Sequence, residues 1–409
     1  MRVAGAVIIS LFVVIFPVRT GLQMIGDREE DFFMYENQEN TISSEHEYTS
    51  LMHIPGDKRF SLDDFYSERP DLEEVVKIIM NRLGDREKIS QMVITACGGY
   101  GKTYEEVLYT IYQGDTGGVL FLDQRKEIIE QYIETFNVAI GMSSPLLPLY
   151  AVDGEPSLIS YRIRGIPRFD DTNTLRNRDK TEKVAKEISE IIRELGIHMN
   201  FAPVCDFSYN REIIGKRSFG NDPQLVSVLT ETFIKTTQEN GVVATAKHFP
   251  GHGTVRGDTH WKIVYIKGNP PELPVFKRAI ESGVIAVMVG HIAVSNNRRY
   301  ETGGVPSSLS RNIVTGLLKD ELGFRGIIVT DALTMGAVKS FYLPSVLAVK
   351  AGCDMILMPE DEHSFIEAVQ EEIAHDDQFR AQVMESVRKI IRLKVCLGLV
   401  RYEELGKES

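Results

Sequence analysis

From residue 71 onward, short apolar runs alternate with longer segments whose apolar positions recur every three or four residues. The runs are QMVITA (91–96), GGVLFL (117–122), PLYAVD (148–153), MNFAPVCDF (199–207), VVATAKHF (242–249), IAVMVGHI (285–292), GIIVTD (326–331) and DMILM (354–358). Each is continuously apolar, as parallel strands covered on both faces are. Between them, DQRKEIIEQYIETF, TEKVAKEISEIIREL, DPQLVSVLTETFIKTTQEN, LPVFKRAIES and RNIVTGLLKDEL have the spacing of amphipathic helices. DLEEVVKIIMNRL predicts a further helix before the first strand, with Asp71 placed to cap it. Eight strand–helix units predict an α/β fold, a (β/α)8 TIM-type barrel over residues 71–400. A doubly wound open sheet is the alternative, because periodicity does not report closure. DQFRAQVMESVRKIIRLKVCL reads as terminal helix and residues 401–409 as a tail.

The start of the chain has a different pattern. Arg2 precedes an apolar run from Ala4 to Val18, which Arg19 closes. That is short for a bilayer-spanning helix, which takes about 20 residues, and suits the core of an export signal. Residues 1–25 are therefore expected to be a signal peptide or a signal anchor, so that the protein is exported and carries a membrane tether if the segment is retained. Residues 26–70, polar and acidic, read as a linker.

A formal charge of −12 disfavours nucleic acid, whose binding rests on Lys and Arg. A small or neutral partner is expected. The four cysteines, Cys97, Cys205, Cys353 and Cys396, form no CxxC pair and read as buried free thiols.

In a barrel of this kind the chemistry sits at the C-terminal ends of the strands. Those ends here carry Asp153, Asp206, Lys247 with His248, His291 and Asp331. A carboxylate such as Asp331, closing a β-branched run, is held rigidly, as a nucleophile or charge stabiliser must be. The fifth run leads into KHFPGHGTVRGDTH (247–260), where Asp258 and His260 stand two apart. A carboxylate beside an imidazole fixes its tautomer and makes a general acid and base. The loop's glycines would let the pair swing over a ligand.

Two decoys are set aside. His248 and His252 have metal-ligand spacing, but Pro250, Gly251 and Gly253 remove the helix that would bring them together, so no metal is expected. ACGGYGKTY (96–104) sits where a phosphate loop would, but Ala96 occupies the place of its first glycine.

KHFPGHGTVRGDTH closely resembles the signature of glycoside hydrolase family 3, in its β-N-acetylhexosaminidase branch. FAPVCDF, GKRSFGNDP, VMVGHI and GFRGIIVTDALTMGAV follow the same resemblance in the same order, over roughly residues 72–400. It implies a retaining glycosidase without a cofactor, acting on terminal β-linked N-acetylglucosamine of cell-wall fragments or chitin oligomers. By motif, Asp331 falls on the catalytic nucleophile, His260 on the acid/base and Asp258 on its partner. Asp153, Arg217, Lys247 and His248 fall on sugar-binding positions, and His291, which falls on a strand-end histidine near the site, is expected to bind substrate with them. The family's Gly-Gly pair is replaced by Pro156 and Ser157, so either Arg162 or Arg164 stands for the arginine that follows it. A β-glucosidase, a glycoside phosphorylase and a non-catalytic sugar-binding protein are the competing functions.

Overall fold

The structure, a computed structural model, describes residues 60–140 and 144–401. The expected export segment, the linker as far as residue 59 and the tail from residue 402 lie outside the described residues.

The apolar runs form eight barrel strands: β1 (Val93–Cys97), β2 (Gly118–Phe121), β3 (Leu149–Val152), β4 (Met199–Asn200), β5 (Val243–Phe249), β6 (Ala286–Val289), β7 (Ile327–Thr330) and β8 (Ile356–Leu357). Every residue in them is buried, which is why the sequence shows runs rather than alternation. All neighbours are parallel, in the order β7-β6-β5-β4-β3-β2-β1-β8. The two ends of that order meet. Val329 and Met355 form a parallel bridge, with Thr330 N–H donating to Met355 O and Met355 N–H to Ile328 O, both at 3.0 Å. The sheet is thus a nearly closed ring, not a doubly wound sheet with two free edges.

Alternate strand residues face opposite ways. Val119 and Phe121 of β2 and Tyr150 and Val152 of β3 pack with the helix residues Ile129, Phe136, Ile188 and Ile192. Leu120, Leu149 and Ala151 belong to a separate cluster that takes in Ala246 and Val287. The helix Arg178–Glu194 shows how sequence sets this layer: Thr181, Ala185, Ile188 and Ile192 are buried on one face, and Asn177 caps the start by accepting Lys180 N–H at 3.0 Å. The four cysteines are buried and free.

Four local expectations change. The helix before β1 starts at Pro70, with Arg69 rather than Asp71 at the cap position; proline's fixed φ suits the first helical residue. Residues 60–70, read as the end of the linker, are part of the folded body. Phe60, Leu62 and Phe65 are buried, and Arg392 of the terminal helix Asp377–Cys396 donates to Phe65 O at 2.7 Å and to Asp64 O at 2.9 Å.

The run 199–207 pairs as a regular strand only over β4; beyond it the register to β5 shifts, with Thr245 N–H donating to Ala202 O at 2.8 Å and Lys247 N–H to Pro203 O at 3.1 Å. It rejoins β5 through a Val204–Lys247 bridge. The run 285–292 breaks after Val289, and Ile292–Ser295 leaves the barrel to pair in parallel with Val264–Lys267. These two breaks carry Asp206 and His291 to the mouth of the ring.

Candidate active site

Past the end of β3 the chain runs through Asp153, Gly154 and Glu155. Asn200, closing β4, grips the Gly154 peptide: its Oδ1 accepts the N–H at 2.8 Å and its Nδ2 donates to the carbonyl at 3.3 Å. Asp153 and Glu155, two residues apart, share one cation, with Lys247 Nζ 2.8 Å from Asp153 Oδ1 and 2.7 Å from Glu155 Oε1. Arg162 Nη2 adds a contact to Asp153 Oδ2 at 3.2 Å. Arg217 grips Glu155 as a fork, through Nε at 2.8 Å and Nη2 at 2.7 Å. Burial pushes both carboxyls towards the neutral form. Lys247 and Arg162 around Asp153, and Arg217 and Lys247 around Glu155, outweigh it and hold both below the usual carboxylate range.

Exposure separates the roles in this network. The side chains of Asp153, Arg162 and Arg217 keep 16, 26 and 19% of their surface, so they can meet a ligand. Lys247 and Glu155 keep 2 and 1%, and act from behind. Lys247 is therefore less a direct ligand contact than the motif implies. Of the two candidate arginines, Arg162 lies at the site, while Arg164 pairs with Asp123 on the surface at 3.1 Å. Glu155 was not singled out by the sequence. The signal for it was its place two residues beyond Asp153 in AVDGE, just past the end of a strand.

On β5, His248 follows Lys247. Asp206 orients it: the buried Oδ2 lies 2.6 Å from His248 Nδ1 and 3.2 Å from its N–H, while Oδ1 accepts His252 N–H at 2.7 Å. With Nδ1 committed, Nε2 is the nitrogen left for chemistry. Burial pushes Asp206 up, but His248 and His252 bring it below the usual range. His252 is buried, and burial lowers its pKa; its ring reaches Asn210 Nδ2 and Thr259 Oγ1, both at 3.3 Å. It fastens the loop.

Asp331 follows β7. Its N–H donates to Val289 O at 2.9 Å, and its Oδ1 accepts Ala332 N–H at 2.9 Å. Burial raises its pKa, yet His248, His291, the Ala332 N–H and Lys247 together bring it below the ordinary value. His291 was expected to touch a ligand. Its ring is instead occupied on both nitrogens, Nδ1 by Ser308 Oγ at 2.7 Å and Nε2 by Ala332 O at 3.0 Å. A carbonyl requires a donor, so Nε2 carries a proton; burial pushes the pKa of this imidazole down, against the opposing pull of Asp331. His291 positions the peptide next to Asp331.

The side chains of Asp258 and His260 are in contact. Asp258 Oδ1 lies 2.5 Å from His260 Nδ1 and accepts the His260 N–H at 2.8 Å. The imidazole is 60% exposed, so its other nitrogen is open to a ligand. Its loop lies directly on the turn that follows Asp331, for Gly336 N–H donates to His260 O at 2.8 Å and Ala337 N–H to Thr259 O at 3.2 Å. A Cβ at Gly336 would come within 2.7 Å of the carbonyl oxygens of His260 and Trp261.

The loop glycines do other work than the freedom expected of them. Gly257 takes a φ of +106°, open chiefly to glycine. Gly253 packs so closely that a Cβ would overlap the Phe207 carbonyl. Gly253→Ala is therefore expected to destabilise by about 1–3 kcal/mol and to lower kcat by displacing the His252–His260 segment. Thermal unfolding and turnover, measured together, check both effects.

A sequence profile described as "Glycosyl hydrolase family 3 N terminal domain" matches residues 85–393. A curated beta-hexosaminidase of Nitrosomonas eutropha is 29% identical over 298 residues, which is 67% of this chain and 83% of that protein. The solved glycoside hydrolase family 3 beta-N-acetylglucosaminidase of Paenibacillus sp. str. FPU-7 superposes with a TM-score of 0.69 at 27% identity, covering 80% of this chain and 64% of that one. A beta-glucoside phosphorylase superposes with a TM-score of 0.71 at 20% identity over 83% of this chain and 63% of its own, a likeness of fold alone. A profile match across most of the chain agrees with a nearly closed eight-stranded ring that carries acids, lysine and histidines at one mouth, and the chain belongs to glycosyl hydrolase family 3.

Proposed function

We propose that the protein is a retaining β-N-acetylhexosaminidase that removes terminal, non-reducing β-linked N-acetylglucosamine from cell-wall fragments or chitin oligomers. The observation that carries this reading is the seam between two loops. The Gly336–His260 and Ala337–Thr259 hydrogen bonds bring the proton carrier alongside the turn of the ionised Asp331. The relatives named beta-hexosaminidase and beta-N-acetylglucosaminidase support the choice of sugar. Residues 1–25 fit this reading as an export signal or membrane tether, which would deliver the enzyme to such glycans.

In the first step an Asp331 carboxylate oxygen attacks the anomeric carbon as the glycosidic C–O bond breaks. The leaving oxygen takes the proton from His260, and Asp258 stabilises the imidazolium beforehand. Water then adds to the same carbon, giving its proton back to His260 and releasing Asp331. Asp153, Arg162 and Arg217 are the groups with enough exposed surface to hold sugar hydroxyls or the acetamido carbonyl.

Release of nitrophenol from 4-nitrophenyl N-acetyl-β-glucosaminide, beside the matching β-glucoside, tests the reading. Faster cleavage of the β-glucoside points to the β-glucosidase branch, and binding of N-acetylglucosamine without cleavage to a non-catalytic protein. His260→Ala is expected to slow natural oligosaccharides about 10²–10⁴-fold and nitrophenyl glycosides much less, because only the former need a proton on departure. Equal losses on both would remove the acid role.

Phosphorolysis is the second reading, on a chemical argument: an imidazole acid/base, unlike a carboxylate, carries no negative charge to repel an incoming phosphate. Rate acceleration by phosphate, with a sugar 1-phosphate as product, would establish it.

A further inference from the structure

Glu272 is the residue before the helix Leu273–Glu281, and it is wholly buried behind the mouth of the barrel. Its Oε1 accepts Gly253 N–H at 3.1 Å and Phe207 N–H at 3.5 Å. It thereby joins the loop after β4 to the loop after β5. Both joints stand one residue from the site, since Phe207 follows Asp206 and Gly253 follows His252. Among the described residues Oε2 has no hydrogen-bond partner. It lies against Gly251, where any Cβ would collide with it.

We propose that Glu272 is a positioning residue for the Asp206–His248–His252 cluster and that it performs this role as a neutral carboxylic acid. This rests on the glycosidase reading above. Three features of the geometry point the same way. A buried carboxylate needs partners for both oxygens, and one of these has none. Of the titratable groups facing it among the described residues, Asp206 is a like charge whose own partners are His248 and His252, and Cys205 is a buried thiol whose pKa burial pushes up. The N–H bonds it accepts are long for an ionised acceptor. Burial first, and Asp206 second, accordingly push the Glu272 carboxyl up to about 8. With the proton on Oε2, Oε1 serves as a plain carbonyl acceptor that clamps the two turns. Loss of that proton sets a second negative charge beside Asp206. The clamp is then strained, and His248 and His252 feel a changed field.

Two measurements on wild type, Glu272→Gln and Glu272→Ala test this. The first is kcat/KM on the aryl N-acetylglucosaminide from pH 6 to 9.5. Glutamine is an uncharged isostere, so Glu272→Gln should match wild type within about threefold at pH 6.5 and exceed it about tenfold at pH 9, one unit past the wild-type transition. Glu272→Ala should be slow throughout. The second is the unfolding midpoint against pH, which needs no turnover. A carboxyl whose folded pKa is raised holds its proton in the native state while the unfolded chain has lost it. Its contribution to stability therefore falls as pH rises from about 4.5 to 8 and is level above that. Glu272→Gln should remove this part of the slope. A Glu272→Gln enzyme as impaired as Glu272→Ala at pH 6.5, or one with the wild-type alkaline limb and unfolding slope, overturns the proposal. Wild-type protein that cleaves no glycoside removes the glycosidase reading instead, and the unfolding slopes still decide the state of Glu272.

Discussion

Asp331→Asn is expected to reduce kcat by about 10⁴–10⁶-fold, the scale seen when a nucleophile is removed from a preorganised site, while the fold is kept. The backbone of residue 331 is held by its N–H to Val289 O, and asparagine retains an oxygen to accept the Ala332 N–H. The loss is of charge alone. Asparagine cannot form an ester with the anomeric carbon, and the field of His248, His291 and Lys247 around this position favours an anion. Intact-mass measurement under slow turnover should show a protein carrying one extra N-acetylhexosamine in wild type and none in the variant. Turnover within tenfold of wild type, at an unchanged unfolding midpoint, would remove Asp331 as the nucleophile.

The ring was legible because parallel strands covered on both faces leave an unbroken apolar run, and all eight runs became strands. The placement of Asp331, Asp258 and His260 beside one another was legible for a related reason: strand ends and the loops beyond them are where a barrel displays polar groups. What sequence hid was partnership across long stretches of chain. Arg217 and Glu155 are 62 residues apart, and nothing local in KRSFG says that its arginine is already held by an acid. His291 looks like a site residue by position. Only Ser308, 17 residues on, and Ala332, 41 residues on, reveal that both of its nitrogens are taken. The glycines of the loop suggested motion, since composition cannot tell a glycine that permits movement from one that permits contact. Gly253 is of the second kind: the Phe207 backbone fills the space where its side chain would be.

Glu155→Ala should be the most destabilising single change at the site, at about 3–5 kcal/mol, the usual scale for removing one partner of a buried ion pair. Glu155 is the fork partner of Arg217 and half of the cage around Lys247. Its loss leaves Asp153 alone among Lys247, Arg162 and Arg217, with Lys247 still out of reach of water. Activity should fall as well, because Arg217 loses the contacts that aim it and Lys247 is free to turn wholly onto Asp153. Glu155→Gln, which keeps an acceptor but no charge, should fall between the two in thermal unfolding. The pH dependence gives the sharper check. Glu155 is held below the ordinary carboxylate range by Arg217 and Lys247 against burial, as Asp153 is by Lys247 and Arg162. Such a group contributes stability that is fully present above its unfolded pKa, about 4.3 for glutamate. That contribution is lost as pH falls towards the folded value. The gap in unfolding midpoint between wild type and Glu155→Ala should therefore be constant from pH 5 to 7 and narrow below about pH 4. A gap that stays wide in acid would mean that Glu155 stabilises the site by packing rather than by its charge.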